Sequence, residues 1–307
     1  MKLRTKLITM VLAAMFCLSL AFSGVATENS APVAENLELV TYRDISVGGR
    51  LSAVDPDGDT ISFEITTKPT KGKVELQEDG RFVYTPNSGK KGRDYFGYKA
   101  VDSAGNYSQE ATVIIKIEKQ KSKVIYSDMS NNPAHYAALY LAEKNVFVGE
   151  CLGGEYIFHP EREVTRGEFL AMCMKLADYD VLSGVRSTGF MDDNEMPGWV
   201  KPYVSTALMA GVVTGYTDIE RGAVFNANNS INYTEAAVIL NNVLGISDVA
   251  NVERYSQAAV PVWAHQATAN LTACNILPYG MKTMEDTLTR AQVAEMLLGA
   301  ARVLENR

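Results

Sequence analysis

Histidine and cysteine are scarce, three and four among 307 residues. His135, His159 and His265 lie in separated segments without metal-ligand spacing. No His-Glu-x-x-His, Gly-x-Ser-x-Gly or phosphate-loop pattern occurs, so the motif-bearing metalloprotease, serine-hydrolase and nucleotide chemistries are excluded. Scattered carboxylates can always assemble in space into an acid/base pair, but nothing in the chain announces one, and no enzyme activity is expected. Cys151, Cys173 and Cys274, an odd number without a C-x-x-C pair, describe neither a disulfide framework nor a zinc site.

Long apolar runs are also missing, with one exception. Lys2, Arg4 and Lys6 precede an uncharged stretch from Leu7 to about Phe22, and Gly24-Val25-Ala26 offers small residues at a cleavage site. Residues 1–26 are therefore expected to be a secretory signal peptide, leaving no membrane span after cleavage. Ala14-Met15-Phe16 is a poor lipobox before Cys17. Removing the segment leaves 26 Lys and Arg against 36 Asp and Glu, a net of −10. A generally basic surface for nucleic acid is absent, so any anionic ligand must be held by local arginines.

Two unlike halves remain. From about Ala31 to Ile117 short alternating runs (TISFEI, GKVEL, GRFVYTP, DYFGYKAV, ATVIIKI) are separated by Asp-Pro-Asp-Gly-Asp, Glu-Asp-Gly and Asn-Ser-Gly turns. Six or seven strands so spaced predict an antiparallel β-sandwich over 31–118. This segment resembles the bacterial Ig-like or cadherin-like domains of surface proteins. Within it Asp55, Asp57, Asp59 and Asp102 carry the oxygen chemistry of a calcium site, although Asp-Pro-Asp-Gly-Asp is equally a good turn and the EF-hand glutamate is missing. No other cofactor is expected. Glu118-Lys119-Gln120-Lys121-Ser122-Lys123 is charged and apolar-free, and residues 119–124 read as a linker.

Beyond the linker the chain repeats itself three times, with a period of about 60 residues. REVTRGEFLAMCMKLA, SINYTEAAVILNNVLG and DTLTRAQVAEMLLGAARVL align on Glu168, Glu235 and Gln292. Behind them one apolar face recurs at helical spacing: Phe169/Ala236/Val293, Leu170/Ala237/Ala294, Met172/Ile239/Met296 and Cys173/Leu240/Leu297. Thr165 with Glu168 and Thr289 with Gln292 have the form of capping boxes, and Asn232 with Glu235 a weaker one. Each phrase follows an earlier helical stretch, beginning at Pro133, Gly198 and Val262. Trp199 and Trp263 stand twelve residues before Gly211 and Asn275, and the same count back from Asn145 finds Pro133. Upstream, Tyr126-Ser127-Asp128 and Phe190-Met191-Asp192 give an aromatic-x-Asp opening that becomes Tyr255-Ser256-Gln257 in the third copy.

Aromatic-x-Asp, tryptophan, helix, glycine turn and Thr-Arg-Gly/Ala-Glu/Gln, in this order three times, resemble the S-layer homology (SLH) family. The copies run over 125–181, 188–247 and 252–304. The resemblance implies a multidomain protein in which an N-terminal all-β sandwich precedes an all-α, pseudo-threefold SLH unit of helix-loop-helix repeats. It also implies noncovalent anchoring of an exported protein to pyruvylated secondary cell-wall polysaccharide at the cell surface. The rival reading is an adhesin or wall spacer working through its Ig-like domain, on protein or glycan partners, with the repeats only structural.

Capping accounts for the Thr and Glu, at ~1 kcal/mol per cap, but not for the arginines. A cation in a first helical turn meets the positive end of the helix dipole, unfavourable by up to ~1 kcal/mol. Free N–H groups plus a guanidinium would make a carboxylate site for the pyruvate ketal at Arg166 and Arg290. Solvation or a nearby carboxylate such as Glu163 or Asp286 is the alternative. Tyr233 stands in the arginine's place in the second copy. Trp199 and Trp263 read as packing anchors or as sugar platforms, Asp128 and Asp192 as sugar ligands or turn formers. The departures at Tyr233, Pro133, Gln257 and Tyr279 imply fewer than three competent grooves.

Overall fold

The computed structural model describes residues 29–250, 252, 260–276 and 283–306. The signal segment, Gln257 and Tyr279 lie outside the described residues.

Alternation builds the N-terminal part. Ala111, Val113, Ile115 and Ile117 of β9 (Ala111–Glu118) are buried while their neighbours are not, and Asp94, Phe96, Tyr98 and Ala100 of β8 (Gly92–Val101) match them. With β2 (Leu37–Tyr42) and β5 (Ser62–Thr67) these form a four-stranded sheet, ordered β2-β9-β8-β5. A second sheet, β3 (Val47–Arg50), β7 (Arg81–Pro86) and β6 (Gly72–Leu76), closes over Phe82 and Tyr84. Short strands β1 (Val33–Ala34) and β4 (Ala53–Val54) pair at the edge. The turns predict a wholly antiparallel sandwich, and the structure corrects this: β2 lies parallel to β9, with Leu37 opposite Val113. β2 and β9 lie far apart in sequence and meet without a hairpin, so no turn dictates their relative direction.

The C-terminal part holds α1 (His135–Glu143), α2 (Arg166–Leu176), α3 (Lys201–Met209), α4 (Tyr233–Leu244), α5 (His265–Ala273) and α6 (Arg290–Glu305). The capping boxes of Thr165 with Glu168, Asn232 with Glu235 and Thr289 with Gln292 are present in full. The unit is not all-α. Each of the first two copies carries a hairpin between its helices, β10 (Glu150–Leu152) with β11 (Glu155–Ile157) and β12 (Tyr216–Asp218) with β13 (Gly222–Val224). Gly149 and Gly215 open them at positive φ, where a Cβ would stand 2.6 Å from the Ile157 and Val224 carbonyl oxygens.

The copies exchange partners. α2, α4 and α6 pack on one another, while α1 packs on α6, α3 on α2 and α5 on α4. Each first helix thus covers the second helix of the preceding copy, cyclically. The segments ahead of the three capped helices close a ring: Val164 N donates to Leu288 O (3.0 Å), Leu288 N to Ile231 O (2.8 Å) and Ile231 N to Val164 O (3.0 Å).

The linker is pinned. Glu143 Oε1 accepts from Lys121 N and Ser122 N, both at 2.9 Å, while its Oε2 takes the Tyr42 hydroxyl at 2.7 Å. Tyr42 stacks edge-on against Tyr136 of α1, so sandwich and helices share one apolar seam.

Buried His135, at the start of α1, has its pKa pushed down to about 4 by desolvation, against the opposing charge of Asp128. Its folded pKa lies below the unfolded value, so its contribution is full above pH 6.5 and is lost as pH falls toward 4. Replacing His135 with Leu is expected to shrink the loss of unfolding free energy between pH 7 and pH 4 by about 3 kcal/mol, read from urea melts at the two pH values.

Candidate functional site

Arg290, from the third copy, enters a groove walled by the first. Its guanidinium donates to Phe158 O at 2.9 Å, lies 5.0 Å from the Phe147 ring centroid and stands 3.7 Å from Glu150 Oε1. Glu150 is shared with Arg162 at 3.1 Å and His159 at 3.4 Å. Glu168, Ala171 and Lys175 of α2 form the opposite wall of this cavity of about 160 Å³, and Trp199 of the second copy completes its rim. All three copies therefore contribute to one groove.

One copy further on, Arg166 occupies the matching position. Its guanidinium is sandwiched between Tyr216 at 4.6 Å and Phe225 at 4.9 Å. Tyr216 takes the place of Glu150, and no carboxylate lies within ion-pair distance of Arg166 among the described residues. Both arginines are only 7% exposed, and Arg166 Nε is buried without a hydrogen-bond partner. Desolvation lowers the pKa of each; Tyr216 and Glu235 oppose it at Arg166, while at Arg290 the charge of Arg162 adds to it and Glu168 and Glu150 oppose. Stacking on aromatic faces offsets part of the cost of burying a cation, by about 2 kcal/mol when desolvated.

Several expectations are corrected. The helix starts offer no free N–H groups: Arg166 N and Gly167 N donate to Asn229 O and Ala227 O, Arg290 N and Ala291 N to Arg162 O and Pro160 O. Cross-copy packing saturates them, so only the guanidinium groups remain for an anion. Tyr233 is fully buried and forms core, not site. Asp192, 3% exposed, accepts from Phe225 N and Asn226 N at 2.9 and 2.7 Å. Asp128 does the same for Phe158 N and His159 N at 2.9 and 2.6 Å. These two aspartates thus fasten the residues that follow each hairpin, Phe158-His159 and Phe225-Asn226; Asp192 is buried in doing so, while Asp128 stays half-buried at an open pocket that Glu150 and His159 also line. The tryptophans are not packing anchors: Trp199 is 54% exposed and Trp263 58%. Trp263 sits in the 3-10 turn Val262–Ala264 against α4.

Phe147, Glu150, Phe158, Tyr216 and Phe225 went unnoticed in the sequence. A signal existed, since Phe158 and Phe225 each precede the first residue of the next capped helix by eight positions.

In the sandwich, Asp55, Asp59 and Asp102 present oxygens within 4.8 Å of one another and could hold a hard cation. Asp57 turns aside to accept from Ser30 N. Asn29 Nδ2 bridges Asp59 and Asp102, at 2.8 and 3.2 Å.

Residues 29–119 match the bacterial cadherin-like domain. Over 285 residues, spanning sandwich and helical copies alike, the chain is 21% identical to an amylopullulanase of Thermoanaerobacterium thermosulfurigenes; this is 89% of this chain and 14% of that protein's length. Among solved structures, the SrpA adhesin of Streptococcus sanguinis is similar at 22% identity and TM-score 0.25, over 32% of this chain and 64% of that one. An endo-fucoidan hydrolase of glycoside hydrolase family 107 is similar at 17% identity and TM-score 0.25, over 30% and 14%. No described helix is long and apolar enough to cross a membrane.

The aspartate clamps and the arginines should separate in a stability assay. Asp192→Ala leaves a buried amide and a part-buried one without acceptors and is expected to cost about 2–4 kcal/mol. Arg166→Met replaces a buried cation by an apolar chain and should leave stability within about 1 kcal/mol of the parent, or raise it. Urea denaturation of both variants reads the difference.

Proposed function

We propose that the helical copies bind an anionic glycan of the bacterial cell wall, anchoring an exported protein noncovalently, and that the sandwich is the module held at the surface. The observation that supports this most is the pair of guanidinium groups at Arg290 and Arg166, buried on aromatic rings where solvation alone would keep them in water. Arg166 has no carboxylate partner among the described residues. A buried, unpaired arginine is costly unless an anion completes it. The exposed indoles of Trp199 and Trp263 supply the flat apolar surface that a sugar ring stacks on. In this reading a pyruvate ketal, as the SLH resemblance implies, brings the carboxylate to the arginine and its sugar to the indole.

The two arginine positions are not equal. Glu150 already stands 3.7 Å from Arg290 and must yield to an incoming carboxylate, whereas at Arg166 the matching residue is Tyr216, and the carboxylate of Glu235, which accepts from the Tyr216 hydroxyl, acts on the guanidinium only from beyond ion-pair distance. The Arg166 position is therefore the stronger anion site.

The test is retention of the purified full chain on wall sacculi, native or stripped of pyruvyl groups. Each charge-assisted contact contributes ~1.5–3 kcal/mol, so Arg166→Ala with Arg290→Ala is expected to weaken binding to native sacculi by more than about a hundredfold. Stripping the ketal should do the same to the parent protein. Retention indifferent to both changes would overturn the reading and leave the sandwich as the working part.

A further inference from the structure

The three copies differ most at one place. In the Arg290 groove the walls include Ala171, Lys175 and Trp199. The repeat register puts Glu295, Gly299 and Pro133 at the matching positions of the third groove, with buried Tyr233 where the arginine would stand. Three of the groups that a sugar acid would use are thus replaced at matching positions of one groove: arginine by tyrosine, lysine by glycine, tryptophan by proline. Glu295 adds a carboxylate where the first groove has a methyl group, which repels an anionic ligand.

That face is occupied. Glu295, Gly299 and Pro133 line a seam cavity of only about 70 Å³ together with Gly48, Gly49 and Arg50 of β3. Gly48 N donates to Pro133 O at 3.0 Å, so a main-chain bond stands where the other copies hold an indole. A Cβ on Gly48 would lie 3.2 Å from both Glu295 Oε1 and Pro133 Cβ, so this approach suits glycine. The sandwich brings Arg50 and Arg81 to the cavity that Glu295 lines, with Arg302 of α6 on the helical side. The linker is fastened beside it through Glu143.

We propose that the third groove has become the seat of the chain's own β-sandwich, which closes it to ligand and holds the sandwich at a fixed angle to two open grooves. The number of open grooves rests on the glycan-binding reading; the docking does not.

Hydrogen exchange on the full chain tests the docking, comparing the parent with Gly48→Glu, which sets a carboxylate against Glu295, and with Glu143→Ala, which leaves the sandwich core untouched. Amides of 119–124 and of the 292–299 face are expected to exchange roughly tenfold faster in both variants, with far-UV circular dichroism unchanged. Equal exchange in parent and Glu143→Ala would overturn the docking whether or not Gly48→Glu folds. Calorimetry of the parent with a methyl glycoside bearing a 4,6-pyruvate ketal counts the grooves. Two equivalents are expected, and three would overturn the closure. No binding at all would sink the glycan reading alone, and the exchange data would still decide the docking.

Discussion

Val164, Ile231 and Leu288 each donate a main-chain hydrogen bond to the next, closing a ring of three segments that lie far apart in sequence. Their side chains are buried at the centre of the helical unit. No single copy can supply the partner its ring segment needs, and none buries its own apolar helix face, because each first helix packs on the capped helix of the preceding copy. The stability of one copy is therefore inseparable from the other two. This also explains why the candidate grooves are composite: an arginine from one copy, a hairpin and helix from the next, a tryptophan from the third.

Saturation of the helix starts follows from the same closure. The ring brings loop carbonyls of a neighbouring copy against the first amides of α2 and α6, which removes the dipole-based anion site that a capped helix with a leading arginine suggests. What remains is a buried guanidinium on aromatic rings. Whether a carboxylate already stands beside it is decided by the residue after Gly149 and Gly215, Glu150 in the first copy and Tyr216 in the second.

Much of this was legible in the chain because it is local. The capping boxes span three residues, and the apolar faces of α2, α4 and α6 repeat within two helical turns. The strand alternation of β8 and β9 likewise needs only neighbours. The sandwich was correct in outline and wrong in the direction of β2, since two strands far apart in sequence are directed by no turn. The hairpins of the helical unit escaped notice because three-residue strands carry almost no periodic signal.

The sequence by itself determined the three copies, their caps and cores, and the arginines placed against the helix dipole, since each is written in residues a few positions apart. Only the tertiary structure decided that Asp128 and Asp192 fasten the residues that follow each hairpin, that Trp199 and Trp263 face solvent and that Tyr233 is core. It also decided that the sandwich sits on the most altered groove. Those outcomes depend on contacts between residues tens to more than a hundred positions apart, where the partner of a side chain is chosen by packing and closure and leaves no mark in local spacing.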